Sequence, residues 1–178
     1  MKAYETLYAL LSSPLANFCF SFVKSREASE EIVSDVFIKL WQIRSKLTEI
    51  SNLKVYLYTI ARNFCLNYIT RHAKNPVVRI DEIDFEPVVT LGNPEEIYLS
   101  SEAIHTIQHC IRTLPPQCRI IFQLVKEDGM SYREAADILN ISVLTVRNQV
   151  FIASRKVTAL IPENLHSPII RSIRKSAS

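Results

Sequence analysis

The apolar residues of this chain recur at helical spacing in one segment after another. Tyr4, Leu7, Tyr8 and Leu11 fall on one stripe and predict a helix over residues 3–11. Ser13-Pro14 predicts a restart, with proline at the first helical position, where its missing N–H matters little. Leu15, Phe18, Cys19 and Phe22 form the core face of that second segment. A polar turn, Lys24-Ser25-Arg26-Glu27, precedes a stronger helix to about Ile43, with Val33, Val36, Phe37 and Leu40 inward. Its outward stripe is Glu31, Asp35, Ile38, Lys39 and Gln42. An isoleucine exposed among charges is common on any surface; it also fits the middle of a protein–protein contact. Residues 44–53 break the pattern and read as a loop. Ser51 or Asn52 caps the next helix, which runs to about Arg71 with Leu57, Ala61, Phe64, Cys65 and Tyr68 inside.

From His72 to Asn93 the periodicity lapses. Asn75-Pro76 and Glu86-Pro87 bracket an acidic run, Asp81 to Glu86, and the composition is that of a semi-extended linker. Asn93 and Glu96 form a cap for a helix carrying Ile97, Ile104, Ile107, Ile111 and Leu114 inward. Pro115-Pro116 stops that helix and starts another, in which Cys118, Ile121, Phe122 and Val125 keep the spacing and Gly129 supplies the C-terminal turn. Ser131 and Glu134 make a capping box for a short helix with Ala135, Ala136 and Leu139 on one face. Asn140 tolerates the left-handed conformation of a helix end, Ile141 plugs the corner, and Ser142 caps the next helix. There Val143, Val146, Val150, Val157 and Leu160, with Ala153 in step, form a buried seam. Leu144, Arg147, Asn148, Phe151, Ile152 and Arg155 lie opposite, so the pair reads as a helix-turn-helix with the second helix as DNA reader. The tail from Ile161 contains Pro and Ser and ends among Arg171, Arg174 and Lys175.

Composition supports this helical reading. The 178 residues are 48% hydrophobic and include only two glycines, too few for a sheet-rich fold and too apolar for a disordered chain. A net charge of +3 does not announce a nucleic-acid partner, but its distribution helps. Residues 1–71 hold nine Lys/Arg against six Asp/Glu, residues 72–94 two against four, and residues 95–178 ten against eight. Two mildly basic blocks therefore flank an acidic joint. Cys19, Cys65, Cys110 and Cys118 lack a CxxC pair and each falls among apolar residues, which with no signal sequence fits a reduced cytoplasmic protein. His105, His109, Cys110 and Cys118 have no recognisable zinc-ligand pattern, so neither metal nor cofactor is expected. No apolar run is expected to reach the length of a membrane span. There is no nucleophile elbow, phosphate loop or pair of acids in a Gly-rich setting, which argues against an enzyme.

The helix over 54–71 presents Tyr56, Thr59, Arg62, Asn63, Asn67, Thr70 and Arg71 outward, and no Asp or Glu occurs from Ser51 to Ile80. A solvated polar face explains such a helix in general. The complete lack of acid, with Tyr56 and Tyr58 as rings for stacking, instead favours single-stranded nucleic acid.

Three passages in order resemble bacterial sigma factors of the extracytoplasmic-function (ECF) subfamily, the promoter-recognition subunits of RNA polymerase. They are Ala28 to Trp41, Tyr56 to Asn63, and Ser131 to Lys156. The resemblance implies an all-α fold of two small helical domains joined by a flexible acidic linker. Residues 1–72 would be sigma region 2, 73–94 the linker, 95–161 region 4 with the helix-turn-helix, and 162–178 a tail. It implies that Glu31, Asp35, Ile38, Lys39 and Gln42 face the clamp coiled coil of core RNA polymerase, with Asp35 as anchor. Lys46, Asn52, Tyr56, Arg62, Asn63, Asn67 and Arg71 would hold the unpaired minus-ten strand, where capture of a flipped base makes melting favourable. Arg147, Asn148, Gln149, Phe151, Arg155 and Lys156 would meet the minus-thirty-five element. There Phe151 suits a thymine methyl, and Arg155 and Lys156 suit phosphate. The linker would thread the polymerase toward the RNA path, and an anti-sigma factor is an expected partner.

The chain departs from the family at Asn140, where glycine is common, and at Ile152 and Ser154, where basic residues are frequent. These changes point to a promoter preference of its own. The rival reading is a stand-alone helix-turn-helix regulator of the response-regulator type. It accounts for residues 95–160 but not for the acid-free helix or the helix before it.

Overall fold

The computed structural model describes residues 2–72 and 109–160, and among these every regular element is helical. The expected linker, the Asn93 cap, most of the helix after it and the C-terminal tail lie outside the described residues. The chain divides into two compact units, with α1 (Lys2–Val23), α2 (Arg26–Gln42) and α3 (Leu53–His72) in the first. The second contains α4 (Pro116–Phe122), and the helix-turn-helix is α5 (Tyr132–Leu139) followed by α6 (Val143–Leu160).

The two helices expected before residue 23 are one, since α1 runs unbroken through Pro14. Proline removes the bond to the Leu10 carbonyl and costs about 3 kcal/mol inside a helix. Leu10 lies on the solvent side, 66% exposed, and a backbone carbonyl open to water loses less than a buried one when its helical bond is removed. Both halves of α1 are also anchored on α2 or α3. Leu15, Phe18, Cys19 and Phe22 are buried, and the Tyr4 hydroxyl donates to the Phe37 carbonyl at 2.9 Å. Each buried apolar side chain contributes about 1.5–3 kcal/mol, which outweighs one lost bond. Continuity makes α1 22 residues long, and it is the one helix among the described residues long and apolar enough to cross a membrane. This corrects the expectation that no segment reaches that length. In the fold the helix packs on α2 and α3.

Lys24 adopts a positive φ of 56°, which turns the chain sharply and frees Ser25 to cap α2. The Ser25 hydroxyl oxygen accepts the Ala28 N–H at 3.2 Å. The inward residues of α2 are as the spacing predicts, with Ala28, Ser29 and Ile32 buried beside them. Residues 44–49 are not a loop but a 3-10 helix, closed by tight bonds such as Lys46 N–H to the Ile43 carbonyl at 2.8 Å. Asn52 rather than Ser51 caps α3, its Oδ1 accepting the Val55 N–H at 3.1 Å.

In the second unit residues 109–112 are helical, Ile111 and Leu114 are buried, and Pro116 opens α4. The helix then widens into a π turn, Gln123–Glu127, which the sequence did not signal. That extra residue lets Ile120, Ile121, Phe122, Gln123 and Leu124 all be buried. Gly129 follows at φ +67°, as its C-terminal role requires. The capping box of α5 is reciprocal: Ser131 N–H reaches Glu134 Oε2 at 2.7 Å, and Glu134 N–H reaches Ser131 Oγ at 3.2 Å. Asn140 has φ 55°, and the Ser142 hydroxyl oxygen accepts the Thr145 N–H at 3.0 Å.

Two positions on α6 differ from expectation. Val143 is 41% exposed, because the seam runs through Val146, Val150, Ala153 and Val157 and the first turn lies at its edge. Ser154 is fully buried within the seam. It stands four residues after Val150 and three before Val157, so it is a packing position rather than a reader.

Candidate nucleic-acid and polymerase interfaces

The outward stripe of α2 is wholly on the surface: Glu31, Asp35, Ile38, Lys39 and Gln42 are all exposed, Ile38 by 54%. Trp41, 45% exposed, was missed as a surface residue by the sequence reading. Its ring meets Tyr4 edge-on at 5.4 Å, and the Arg44 guanidinium lies over it at 5.0 Å while donating to the Trp41 carbonyl at 3.1 Å. Tyr8 packs on Phe37 at 4.7 Å beside this group. The signal was present, since Trp41 lies three residues after Ile38 on the same face. The stripe thus has an apolar centre, Ile38 and Trp41, within charges of both signs.

On α3 and the segment before it the anticipated residues separate into different classes. Lys46, Asn52, Asn63, Asn67 and Arg71 are exposed, while Tyr56 and Arg62 are partly buried. Arg62 donates to Asn63 Oδ1 at 3.1 Å, so the two act as a linked pair. Among the described residues the buried Arg62 Nε has no hydrogen-bond partner, and burial pushes the guanidinium's pKa down. A partly desolvated cation without an acid nearby is a strong site for an anionic ligand. The Thr59 and Thr70 hydroxyls donate back to the Val55 and Leu66 carbonyls, each at 2.8 Å, and so are occupied within the helix. Tyr58 is a correction. It is fully buried against Phe18, with ring centroids 5.0 Å apart, and offers no ring for stacking. It follows Leu57 directly, and a Tyr in a three-helix core satisfies the same spacing as one on the surface.

On α6 Arg147, Asn148, Phe151, Arg155 and Lys156 are exposed, together with Leu144 and Ile152. Gln149 is turned toward α4, where its Oε1 accepts the Cys118 thiol, so its carbonyl is not aimed outward with the others. Arg155 lies over the Phe151 ring at 5.7 Å. All four cysteines are unpaired and buried, and burial pushes the thiols of Cys65, Cys110 and Cys118 up, which keeps them protonated. Among the described residues no group of three or more His, Cys, Asp or Glu is placed to hold a metal ion.

One unit with a mixed-charge helix beside an acid-free one, and a second built on a helix-turn-helix, define a two-domain helical promoter-binding protein. The sigma-70 region 2 model matches residues 7–75 and the sigma-70 region 4 model matches residues 104–157. The chain belongs to the sigma-70 family, and within it to the ECF subfamily. It is similar to the ECF RNA polymerase sigma-E factor of Escherichia coli (strain K12), at 29% identity over 177 residues, 96% of this chain and 90% of that protein. The sigma-E factor of Haemophilus influenzae is 27% identical over 163 residues, covering 88% of this chain and 86% of that one. The fold is shared with the Bartonella quintana sigma factor RpoE, solved in complex with the anti-sigma factor NepR. The TM-score is 0.63 at 22% identity, over 93% of this chain and 100% of that one. It is shared also with CnrH, solved with the cytosolic domain of CnrY (TM-score 0.54, 20% identity, 89% and 87% coverage). As a sigma factor the chain directs transcription initiation by RNA polymerase at promoter DNA, and the stand-alone regulator is not favoured.

Proposed function

We propose that the three faces divide the work of initiation. The α2 stripe, Glu31, Asp35, Ile38, Lys39 and Gln42, docks on core RNA polymerase, with Asp35 as its charged anchor. The α3 face with the segment before it, Lys46, Asn52, Tyr56, Arg62, Asn63, Asn67 and Arg71, holds the single strand of the minus-ten element once it opens. The exposed face of α6 meets the minus-thirty-five element in the major groove, with Arg155 and Lys156 on phosphate. Residues 1–72 and 95–161 are the two functional domains, 73–94 the linker and 162–178 a tail. The protein works in the cytoplasm by binding alone, without chemistry of its own, and an anti-sigma protein is its partner, a reading supported by the Bartonella quintana RpoE–NepR complex.

The observation that carries this reading is the half-buried Arg62, without acid or Nε partner among the described residues, beside exposed Asn63 and Asn67. Such a face gains most from an anionic strand with exposed base edges. Replacing Asn63 and Asn67 together by Ala should reduce open-complex formation, read by permanganate reactivity, while leaving polymerase binding intact. Asp35→Ala should do the reverse, weakening polymerase binding. Open-complex formation at the parent level in the asparagine variant would remove α3 from the melting role, and equal loss of both properties would point to misfolding instead.

A further inference from the structure

The exposed face of α6 carries three large apolar side chains. Leu144 is 63% exposed, and Phe151 and Ile152 are each 41% exposed. These residues recur at helical spacing along one face, so they make a continuous row rather than scattered surface positions. Few polar groups compete within it. Asn148 lies in the row, Gln149 has its carbonyl engaged by Cys118, and Ser154 is buried. Arg155 lies over the Phe151 ring at the C-terminal end of the row.

An exposed apolar row needs an occupant, and the surrounding charge selects it. Arg147 stands at one margin, Arg155 and Lys156 toward the far end, and α6 contains no Asp or Glu. The complementary surface is therefore anionic at its edges and apolar at its centre. In the major groove the phosphates supply the edges, and the thymine C5-methyl is the one apolar group that a base edge presents. We propose that this sigma factor reads its upstream promoter element mainly through thymine methyl groups, contacted by Leu144, Phe151 and Ile152, with Asn148 as the polar reader among them. The inference rests on the assignment of α6 to the upstream element.

The test uses holoenzyme assembled from core RNA polymerase and the full-length chain. A promoter library with a randomised upstream element is built once with thymine and once with deoxyuracil, which lacks only the methyl group. Productive elements should be rich in adjacent thymines on one strand or the other. Uracil should lower initiation about fourfold per contacted methyl, the equivalent of one buried CH₂. Leu144→Ser and Ile152→Ser, both at exposed positions, should each narrow the difference between the two libraries, leaving the part that depends on Phe151. Productive elements without thymine preference, or initiation unchanged by uracil, would overturn the inference while leaving α6 as the reader. Initiation indifferent to the upstream element altogether would overturn the assignment of α6 and the inference with it. Serine variants that keep full thymine dependence but no longer bind a co-purified inhibitory protein would assign the row to that protein instead.

Discussion

The two units are both small and helical, yet different forces fix their shapes. The first is aromatic: Phe18 stacks near Phe22 and Tyr58, each at 5.0 Å, and Phe37 is clasped between Tyr4 at 5.9 Å and Tyr8 at 4.7 Å. Those rings come from helices far apart in sequence, so no local signal specifies the packing. The helix-turn-helix instead uses Ala135, Ala136, Val146, Val150, Ala153 and Val157, and its angle is set by backbone groups. A reciprocal capping box, a left-handed Asn140 and the Ser142 cap act within about ten residues of each other. A long-range aromatic core suits a unit that holds α2 and α3, the two faces proposed to bind polymerase and the open strand, at a fixed relation. A locally determined corner suits one helix that must enter a groove at a set angle.

The sharpest way to break this contrast is Phe37→Ala. Phe37 is 2% exposed, and removing its ring should cost about 3–5 kcal/mol. Amide exchange should accelerate throughout α1, α2 and α3, and polymerase binding should fall with it. A loss under 1 kcal/mol by denaturant titration would mean that the aromatic cluster is not what holds the first unit together.

The corner of the helix-turn-helix gives the next largest effect. A β-branched residue at φ 55° is strained whatever its contacts, so Asn140→Val should cost about 1–3 kcal/mol. Asn140→Gly should be neutral or slightly stabilising, because glycine adopts this conformation without strain. If valine and glycine behaved alike, the corner would be set by packing rather than by backbone, and the contrast between the units would collapse.

The same difference governs what could be read from the chain. The capping box at Ser131, the left-handed turn at Asn140 and the Ser142 cap were legible, since each depends on a few adjacent residues. The seam of α6 was legible from Val146 to Val157 but not at Val143 and Ser154, where spacing admits two readings, and the Leu160 side chain lies outside the described residues. In the first unit the inward face of α2 was clear, but Tyr58 was placed on the wrong side of α3. A tyrosine has both an apolar body and a polar tip, and only contact with Phe18 from another helix decides which one governs. Pro14 was read as a boundary because the burial that carries α1 through it is contributed by α2 and α3. The surface role of Trp41 depends equally on Tyr4 and Arg44 from outside α2. Residue type does not give orientation: Gln149, expected among the outward readers of α6, turns inward to Cys118.

Ser154 permits a gain rather than a loss. Its hydroxyl is fully buried in the α6 seam without a hydrogen-bond partner among the described residues. Ser154→Ala should stabilise the second unit by about 1 kcal/mol, the lower end of the penalty for an unsatisfied buried polar group. Destabilisation on denaturant titration would show that the seam is not the apolar, small-residue surface that distinguishes this unit from the first.

The smallest effect concerns the start of α2, where the first unit does rely on a local device. Glu27 is in the first helical turn and accepts the Ser25 hydroxyl at 3.0 Å, while the same oxygen of Ser25 caps Ala28. Its own backbone N–H, then the Ser25 hydroxyl, favour the charged carboxylate and hold its pKa below the ordinary value. A carboxylate depressed in the folded state stabilises it above the unfolded pKa, and that contribution is lost as pH falls through the folded value. Stability of the first unit should therefore decline with acid over a range beginning at the ordinary glutamate pKa and extending below it. Glu27→Gln should remove part of this decline, so that variant and parent converge at low pH and separate at neutral pH. The group is fully exposed, so the separation should shrink in high salt. Denaturant titrations at neutral and acid pH, with and without salt, measure both trends. A variant that runs parallel to the parent at every pH would show that the α2 cap does not depend on the Glu27 charge.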